Sequence, residues 1–232
     1  MKQFAVIGNP IAHSLSPILH QEVYRQLDLD ASFEKIHLMP NALHSFMKVN
    51  ELDGFNVTIP YKQSVIPFLD ELDESAQTIG AVNCVHDGKG YNTDWIGFTK
   101  AMEQNGVSLN GKDCIILGSG GAARAIAFGL VKLGAKSISI KNRTQSKADQ
   151  LLDWINSIFP HNNSSENSDL IVNCTPLGMW PDTESMPDLE IKKGQILADT
   201  IYNPLETKWL KTGGERGAKT IGGLDMFIGQ GL

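Results

Sequence analysis

A glycine-rich turn, Gly118-Ser119-Gly120-Gly121-Ala122-Ala123, constrains this chain more than any other feature. It lies between the apolar run Cys114-Ile115-Ile116-Leu117 and an apolar-faced stretch over 121–132. Gly118 permits a tight turn, and Gly120 lets backbone approach a pyrophosphate. Small Gly121 and Ala123 let a helix pack closely on its strand. The N–H groups opening that helix would then face a diphosphate. A continuous apolar strand before the turn fits a buried parallel sheet, so the segment predicts a Rossmann-type dinucleotide-binding domain. Gly118, Gly120, Gly121 and Ala122 are its candidate cofactor residues.

The next predicted strand, Ser137–Ile140, refines the ligand. NAD-specific domains place an acidic residue about 20 residues beyond the glycine loop, where it takes the ribose hydroxyls. Here the strand runs into Lys141-Asn142-Arg143-Thr144, with Lys147 close behind. A carboxylate would repel an additional 2′-phosphate, whereas a guanidinium grips one with paired, charge-assisted bonds. Asn142, Arg143, Thr144 and Lys147 are therefore candidate contacts to NADP rather than NAD.

Strands alternate with helices along the whole chain, which predicts the α/β class. In the first half, strands are expected at Phe4–Ile7, Phe33–His37, Gly54–Val57 and Ala81–Val85. Helices are expected near 17–28, 41–49 and 62–71, with Pro17 and Pro60 suited to helix starts. Asp87-Gly88-Lys89-Gly90 reads as the turn of a small hairpin. In the second half, a helix over 94–105 should end at Asn105-Gly106. Helix 145–157 and strands Leu170–Asn173 and Gln195–Asp199 follow. A helix opening at Asn203-Pro204 should run through 212 and stop at Gly213-Gly214, and a last short helix is expected over 222–229. The stretch 161–168 has no periodicity and predicts a solvated loop. The expected organisation is an N-terminal α/β substrate-binding domain (1–98), a Rossmann-type domain (99–216) and a C-terminal segment (217–232) returning toward a cleft between them.

Composition excludes several function classes. A formal net charge of −6, without a basic block, argues against nucleic-acid binding. No run of about 18 apolar residues predicts a membrane span, and the N-terminus reads as a strand rather than a signal peptide. Cys84, Cys114 and Cys174 sit singly in apolar runs, which suggests buried thiols of a cytoplasmic protein. The histidines and cysteines form no metal-ligand pattern, so no metal is expected.

Hydrogen-bonding residues gather where the apolar strands of the first half end: Ser14, Ser16, Asn56, Thr58, Lys62, Asn83, Asn92, Thr93 and Asp94. Strand ends are where open α/β sheets bind small molecules. Hydride transfer at an alcohol carbon needs a group to take the hydroxyl proton and return it. Lys62 can serve, with Asp94 orienting its ammonium group.

Together these segments closely resemble the shikimate dehydrogenase family. Gly8-Asn9-Pro10-Ile11-Ala12-His13-Ser14-Leu15-Ser16-Pro17 resembles its substrate-carboxylate motif, and Gly54-Phe55-Asn56-Val57-Thr58-Ile59-Pro60-Tyr61-Lys62 its most diagnostic block. Gly80-Ala81-Val82-Asn83 and Gly90-Tyr91-Asn92-Thr93-Asp94-Trp95-Ile96-Gly97 match two more. Asn173-Cys174-Thr175-Pro176-Leu177-Gly178-Met179, Asp199-Thr200-Ile201-Tyr202-Asn203-Pro204 and the ending Gly222 to Gly231 continue the likeness. The resemblance implies NADPH-dependent reduction of 3-dehydroshikimate, with Lys62 and Asp94 catalytic. It places Ser14, Ser16, Thr58, Lys62, Asn83, Asp94, Tyr202 and Gln230 on the substrate, and adds Thr175, Ile201 and Gly223 to the cofactor residues. Quinate or a related cyclic acid is the alternative substrate, and a catalytically silent ligand-binding or regulatory homologue the alternative class. Monomer and homodimer both remain open. The sequence departs from the family at Lys147, where many relatives place arginine. It also departs around 158–168, where a strand and helix are abridged, and after Gln230, where relatives continue into another helix.

Overall fold

The computed structural model describes residues 1–160, 162, 165 and 168–231; most of the loop expected at 161–168 therefore lies outside the described residues. The chain divides into two compact units, Met1–Thr93 with Gly231, and Asp94–Gln230.

The first unit comprises β1 (Lys2–Gly8), α1 (Ser16–Gln26), β2 (Ala31–His37), α2 (Leu43–Val49), β3 (Gly54–Val57), β4 (Glu71–Leu72), α3 (Glu74–Ile79), β5 (Cys84–His86) and β6 (Lys89–Tyr91). Its sheet has the order β2-β1-β3-β5-β6-β4. β1 runs parallel to β2 and β3, and the β5–β6 hairpin adds antiparallel to β3. Alternate side chains of β1 feed opposite faces. Val6 packs with Ile11 and Phe33 beside Tyr24 of α1, while Ile7 joins Phe55, Val57, Tyr61, Val65 and Val82. The hairpin turns through Asp87 and Gly88, both at positive φ (47° and 71°), as a two-residue turn matched to strand twist requires.

The second unit comprises α4 (Asp94–Gln104), β7 (Asp113–Leu117), α5 (Gly121–Lys132), β8 (Ser137–Lys141), α6 (Gln145–Ile158), β9 (Leu170–Asn173), β10 (Ile196–Asp199), α7 (Lys208–Glu215), β11 (Lys219–Ile221) and α8 (Gly223–Gly231). Its sheet is entirely parallel, in the order β11-β10-β9-β7-β8. Both faces are covered, as parallel strands demand. Phe98, Met102, Ile126, Leu130, Leu151, Ile155 and Met226 bring α4, α5, α6 and α8 onto one face. Trp209 and Leu210 bring α7 onto the other, against Ile115, Leu117, Ile171 and Leu197. All four tryptophans, Trp95, Trp154, Trp180 and Trp209, belong to this unit.

A doubly wound sheet of six strands has the order 3-2-1-4-5-6. Here β8 holds the second place and is an edge strand among the described residues. α5 and α6 nevertheless share a face, with the Arg124 guanidinium 4.1 Å from the centre of the Trp154 ring. Among the described residues, the outer edge of β8 meets side-chain hydrogen bonds and no further strand. Asn162 accepts from the Ile138 N–H through Oδ1 (2.7 Å) and donates to the Ile138 carbonyl through Nδ2 (3.0 Å). Ser139 Oγ donates to the Ser165 carbonyl (2.9 Å) and accepts the Ser165 N–H (3.1 Å).

Two expectations about elements and one about burial need correction. Residues 62–71 form no α-helix; Pro60 sits in a turn, and only Ile66–Phe68 makes a short 3-10 turn before β4. Pro67 lacks the N–H that a helix interior needs there. α7 begins at Lys208 rather than at Pro204 and runs through Gly213 and Gly214. Gly213 belongs inside it because an added Cβ would come within 2.2 Å of Leu197 Cδ1, so the helix packs on the sheet there. Of the three thiols, Cys114 is buried while Cys84 and Cys174 are half-buried.

Candidate active site

In the first unit the site residues collect at one sheet edge. β1 and β3 are parallel neighbours, with Ile7 opposite Val57, so Gly8 and Thr58 leave the sheet side by side. An added Cβ on Gly8 would come within 2.5 Å of Thr58 Cγ2, so only glycine lets the 9–15 loop leave here. That loop delivers Ser14 and Ser16, whose hydroxyls are buried and 3.1 Å apart; Ser14 Oγ also accepts the Ser16 N–H. Pro17 starts α1 behind them, as expected. Val57 donates its N–H to the Asn83 carbonyl (2.8 Å), which brings Asn83 to the same edge. Its side chain is fixed by Thr93: Nδ2 donates to Thr93 Oγ1 (2.9 Å), and Oδ1 accepts the Thr93 N–H (2.8 Å). Lys62 follows the turn at Thr58–Tyr61, half-buried, with its carbonyl accepting the Val82 N–H. Thus Ser14, Ser16, Thr58, Lys62 and Asn83 share one edge of this unit.

The residue patterns had left His20 unassigned. It lies one helical turn beyond Ser16, stacked on Phe33 (ring centres 4.2 Å apart), with Nε2 3.2 Å from the Asn56 amide. Burial holds its pKa below the ordinary value, so the ring is neutral and accepts from Asn56. An aromatic at i+4 from a buried serine was the available sequence signal.

In the second unit the candidate cofactor residues line the carboxyl ends of the strands. Gly118, at φ 105°, turns the chain out of β7, and an added Cβ would lie 3.0 Å from the Cys174 carbonyl oxygen. Around Gly120 a Cβ would meet nothing within 4 Å, so the cradle is open where backbone must approach a phosphate. Gly120 caps α5 without a side-chain hydrogen bond, leaving the first-turn N–H groups of Gly121 and Ala122 to a ligand. Beyond β8, Arg143, Thr144 and Lys147 are exposed. Arg143 and Lys147 have no side-chain hydrogen bond or ion pair among the described residues. Asn142 Nδ2 donates to the Thr144 carbonyl (2.9 Å), shaping the turn that carries Arg143. These residues fit NADP: an open glycine cradle, uncapped helix donors and two cations without an ion-pair partner among the described residues.

On the other side of β7, Thr175 follows β9 and Ile201 and Tyr202 follow β10. Tyr202 packs on Phe227 of α8 (4.3 Å between rings), and Gly223 donates its N–H to the Ile201 carbonyl. Gly223 admits no side chain, since a Cβ would lie 2.5 Å from that oxygen. Gln230 Nε2 donates to the Phe227 carbonyl. Asp94 opens α4 and is buried. Beneath Thr175 and Ile201 lies a pair without an assigned role in the sequence reading, Asp199 and Asn173, both buried.

Two family models match: "Shikimate dehydrogenase substrate binding domain" over residues 6–85 and "Shikimate / quinate 5-dehydrogenase" over residues 100–175. Along its whole length the chain is 43% identical to a shikimate dehydrogenase (NADP(+)) of Bacillus cereus, 90% of which it covers. That alignment spans 252 positions against 232 residues here, so the relative carries internal residues without a counterpart. Among solved structures, a shikimate dehydrogenase in complex with NADP+ superposes with a TM-score of 0.90 at 38% identity, covering 100% of this chain and 87% of that one. The shikimate 5-dehydrogenase of Thermus thermophilus, in complex with NADP(H) and shikimate, gives 0.85 at 33% identity, with 100% and 90% covered.

Proposed function

This chain belongs to the shikimate dehydrogenase family, and from that premise we propose how its residues divide the work. The protein is an NADP-dependent oxidoreductase that reduces 3-dehydroshikimate to shikimate. The bound cofactor supplies the hydride. Ser14 and Ser16 hold the acid's carboxylate through hydroxyls that are already buried and adjacent. Thr58, Asn83, Asp94, Tyr202 and Gln230 receive the remaining polar groups of the substrate. Lys62 donates the proton to the oxygen of the reduced carbonyl and takes it back in oxidation, with Asp94 as its carboxylate partner. Gly118, Gly120, Gly121 and Ala122 hold the diphosphate. Asn142, Arg143, Thr144 and Lys147 hold the 2′-phosphate end, while Thr175, Ile201 and Gly223 bound the other end.

One observation carries the substrate assignment. The close pair of Ser14 and Ser16 hydroxyls shares a sheet edge with Thr58, Lys62 and Asn83, which gives a carboxylate site beside a proton carrier. Initial rates with shikimate and quinate, each with NADP and NAD, test the reading. Shikimate with NADP should be the fastest combination. Faster oxidation of quinate with NAD would overturn the specificity, and binding of both ligands without turnover would make the chain a silent homologue. We also propose the cytoplasm as its compartment, on the strength of three free thiols; cell fractionation tests this.

A further inference from the structure

Asp199 ends β10 opposite Asn173, which ends β9. Its carboxylate is 3% exposed, and its oxygens accept three neutral donors. Oδ1 takes the Ile201 N–H (3.0 Å) and Asn173 Nδ2 (3.2 Å), and Oδ2 takes the Thr207 hydroxyl (2.8 Å). Asn173 passes the arrangement on: Nδ2 also donates to the Leu177 carbonyl (3.2 Å), and Oδ1 accepts both the Thr175 N–H (3.0 Å) and its hydroxyl (2.7 Å). Thr207, fully buried, caps α7 by accepting the Leu210 N–H.

An ionised carboxylate only accepts, whereas an amide or hydroxyl both donates and accepts. The acceptor-only carboxylate agrees with the one-way backbone groups around it, the Thr175, Ile201 and Leu210 N–H donors and the Leu177 carbonyl, and together they allow a single direction for every hydrogen bond in this network. Asn173 must turn its NH₂ toward Asp199, so its oxygen must face Thr175. Thr207 must spend its proton on Asp199, so its lone pair is left for α7. The 174–177 and 200–207 loops are thereby held in one register. The loop at Cys174 in turn abuts Gly118.

The position of this network follows from the strand order. A dinucleotide with its 2′-phosphate at Arg143 beyond β8, and its diphosphate at the glycine loop beyond β7, must extend its nicotinamide past β7 toward β9 and β10. Resting on the NADP reading above, we propose that Asp199 is a positioning residue for hydride transfer. Its carboxylate fixes the loops carrying Thr175, Ile201 and Tyr202 around the nicotinamide end of the cofactor. Burial pushes its pKa up to about 6, so keeping this group charged is unfavourable for the fold alone. The groups facing it from β9, from the 200–207 loop and from the cap of α7 are the Asn173 amide, the peptides of Thr200 and Ile201 and the Thr207 hydroxyl, none of them titratable.

The test uses Asp199→Asn, with Thr207→Val and Thr207→Ser as companions. Asp199→Asn keeps the shape but, with its oxygen held by the Ile201 N–H, turns an NH₂ donor toward the Thr207 hydroxyl and so reverses that hydrogen bond. Thr207→Val removes one donor, and Thr207→Ser keeps it. For Asp199→Asn and Thr207→Val, kcat should fall roughly 10–100-fold, the scale of a misplacement near 1 Å. NADPH should still bind within about threefold of wild type, because Arg143 and the glycine loop are untouched. The fluorescence of bound NADPH, which reports the surroundings of the nicotinamide and needs no substrate, should shift toward that of the free cofactor. Thr207→Ser should restore all three readouts. Wild-type kcat and fluorescence in Asp199→Asn would overturn the proposal, and so would an NADPH affinity that falls in step with kcat. If Asp199→Asn fails to fold, Thr207→Val decides by the same criteria. Should wild type bind NADPH yet leave shikimate unchanged, the assigned reaction fails, and the fluorescence of the variants still decides this proposal.

Discussion

Removing the amine at position 62 should separate chemistry from binding. Lys62→Ala is expected to lower kcat by roughly 10²–10⁴-fold, the usual scale for a proton carrier, while NADPH affinity measured by titration persists. Arg143→Ala should do the opposite. Its guanidinium is exposed and unpaired among the described residues, so its loss should weaken NADPH selectively and leave NADH nearly unchanged. Equal losses for both cofactors would remove Arg143 from 2′-phosphate recognition. Three groups shifted by burial, the half-buried His13 and His20 and the buried Asp199, predict a stability profile in pH. His13 and His20 are both held below 6.5 by burial, with the charge of Lys35 a lesser cause at His13. A lowered histidine contributes stability that is present above pH 6.5 and lost as pH falls from there toward the folded value. Asp199 has the opposite sign: its pKa rises from 3.8 to about 6, so its contribution is present below 3.8 and lost as pH rises through about 6. Urea midpoints of Asp199→Asn should therefore fall from about pH 7.5 to about pH 5.5, and His20→Gln in that background should flatten the fall. A slope unchanged by the second substitution would sink the histidine account. The sequence could single out Lys62 because it follows an apolar strand, and Arg143 because it follows the second strand beyond the glycine loop, where a dinucleotide's ribose is read. Asp199 was not given a role, because its importance lies in which atoms it accepts from, and residue spacing does not encode that.

At the scale of elements, legibility followed the strength of local signals. α5 was expected over 121–132 and occupies Gly121–Lys132, because the glycine loop marks its start and its buried face is continuous. α4 ends as expected, with Gly106 at φ 62° beyond it. The failures fall where tertiary packing overrides local preference. Gly213 reads as a helix stop but serves as a contact with Leu197, and α7 is instead fixed by its Thr207 cap. β11, Lys219–Ile221, is too short for a periodic signal and owes its existence to pairing with β10. The outer edge of β8 carries its own prediction. Asn162→Ala removes both side-chain bonds to Ile138, leaving a buried N–H and a carbonyl without that partner. The expected cost is about 1–3 kcal/mol. Exposed strand edges also template pairing with other chains, so light scattering should show concentration-dependent association in this variant. A variant as stable and as monodisperse as wild type would show that the edge is closed by other means.

For the whole molecule, each unit has a core of its own, built around Ile7, Val57 and Val82 in the first and Ile116, Ile126 and Val172 in the second. Because all four tryptophans lie in the second unit, their fluorescence follows that unit alone, whereas far-ultraviolet dichroism follows both. NADPH at about 100 times its dissociation constant should stabilise the state that binds it by about 2.7 kcal/mol. The tryptophan-detected urea transition should move by that amount and separate from the dichroism transition. Curves that stay superimposed with and without NADPH would mean that the units unfold as one. The way β8 is finished has a consequence for how such a domain can change size. A sheet margin met by the Asn162 amide and by the Ser139–Ser165 pair has a growth point there, since a segment offering its own N–H and C=O can take over from Asn162 without rearranging β7, β9 or β10. The proposed ligand contacts lie beyond the carboxyl ends of β7, β8, β9 and β10 and not along the outer side of β8, so length can be gained or lost at this margin while the proposed site stays in place.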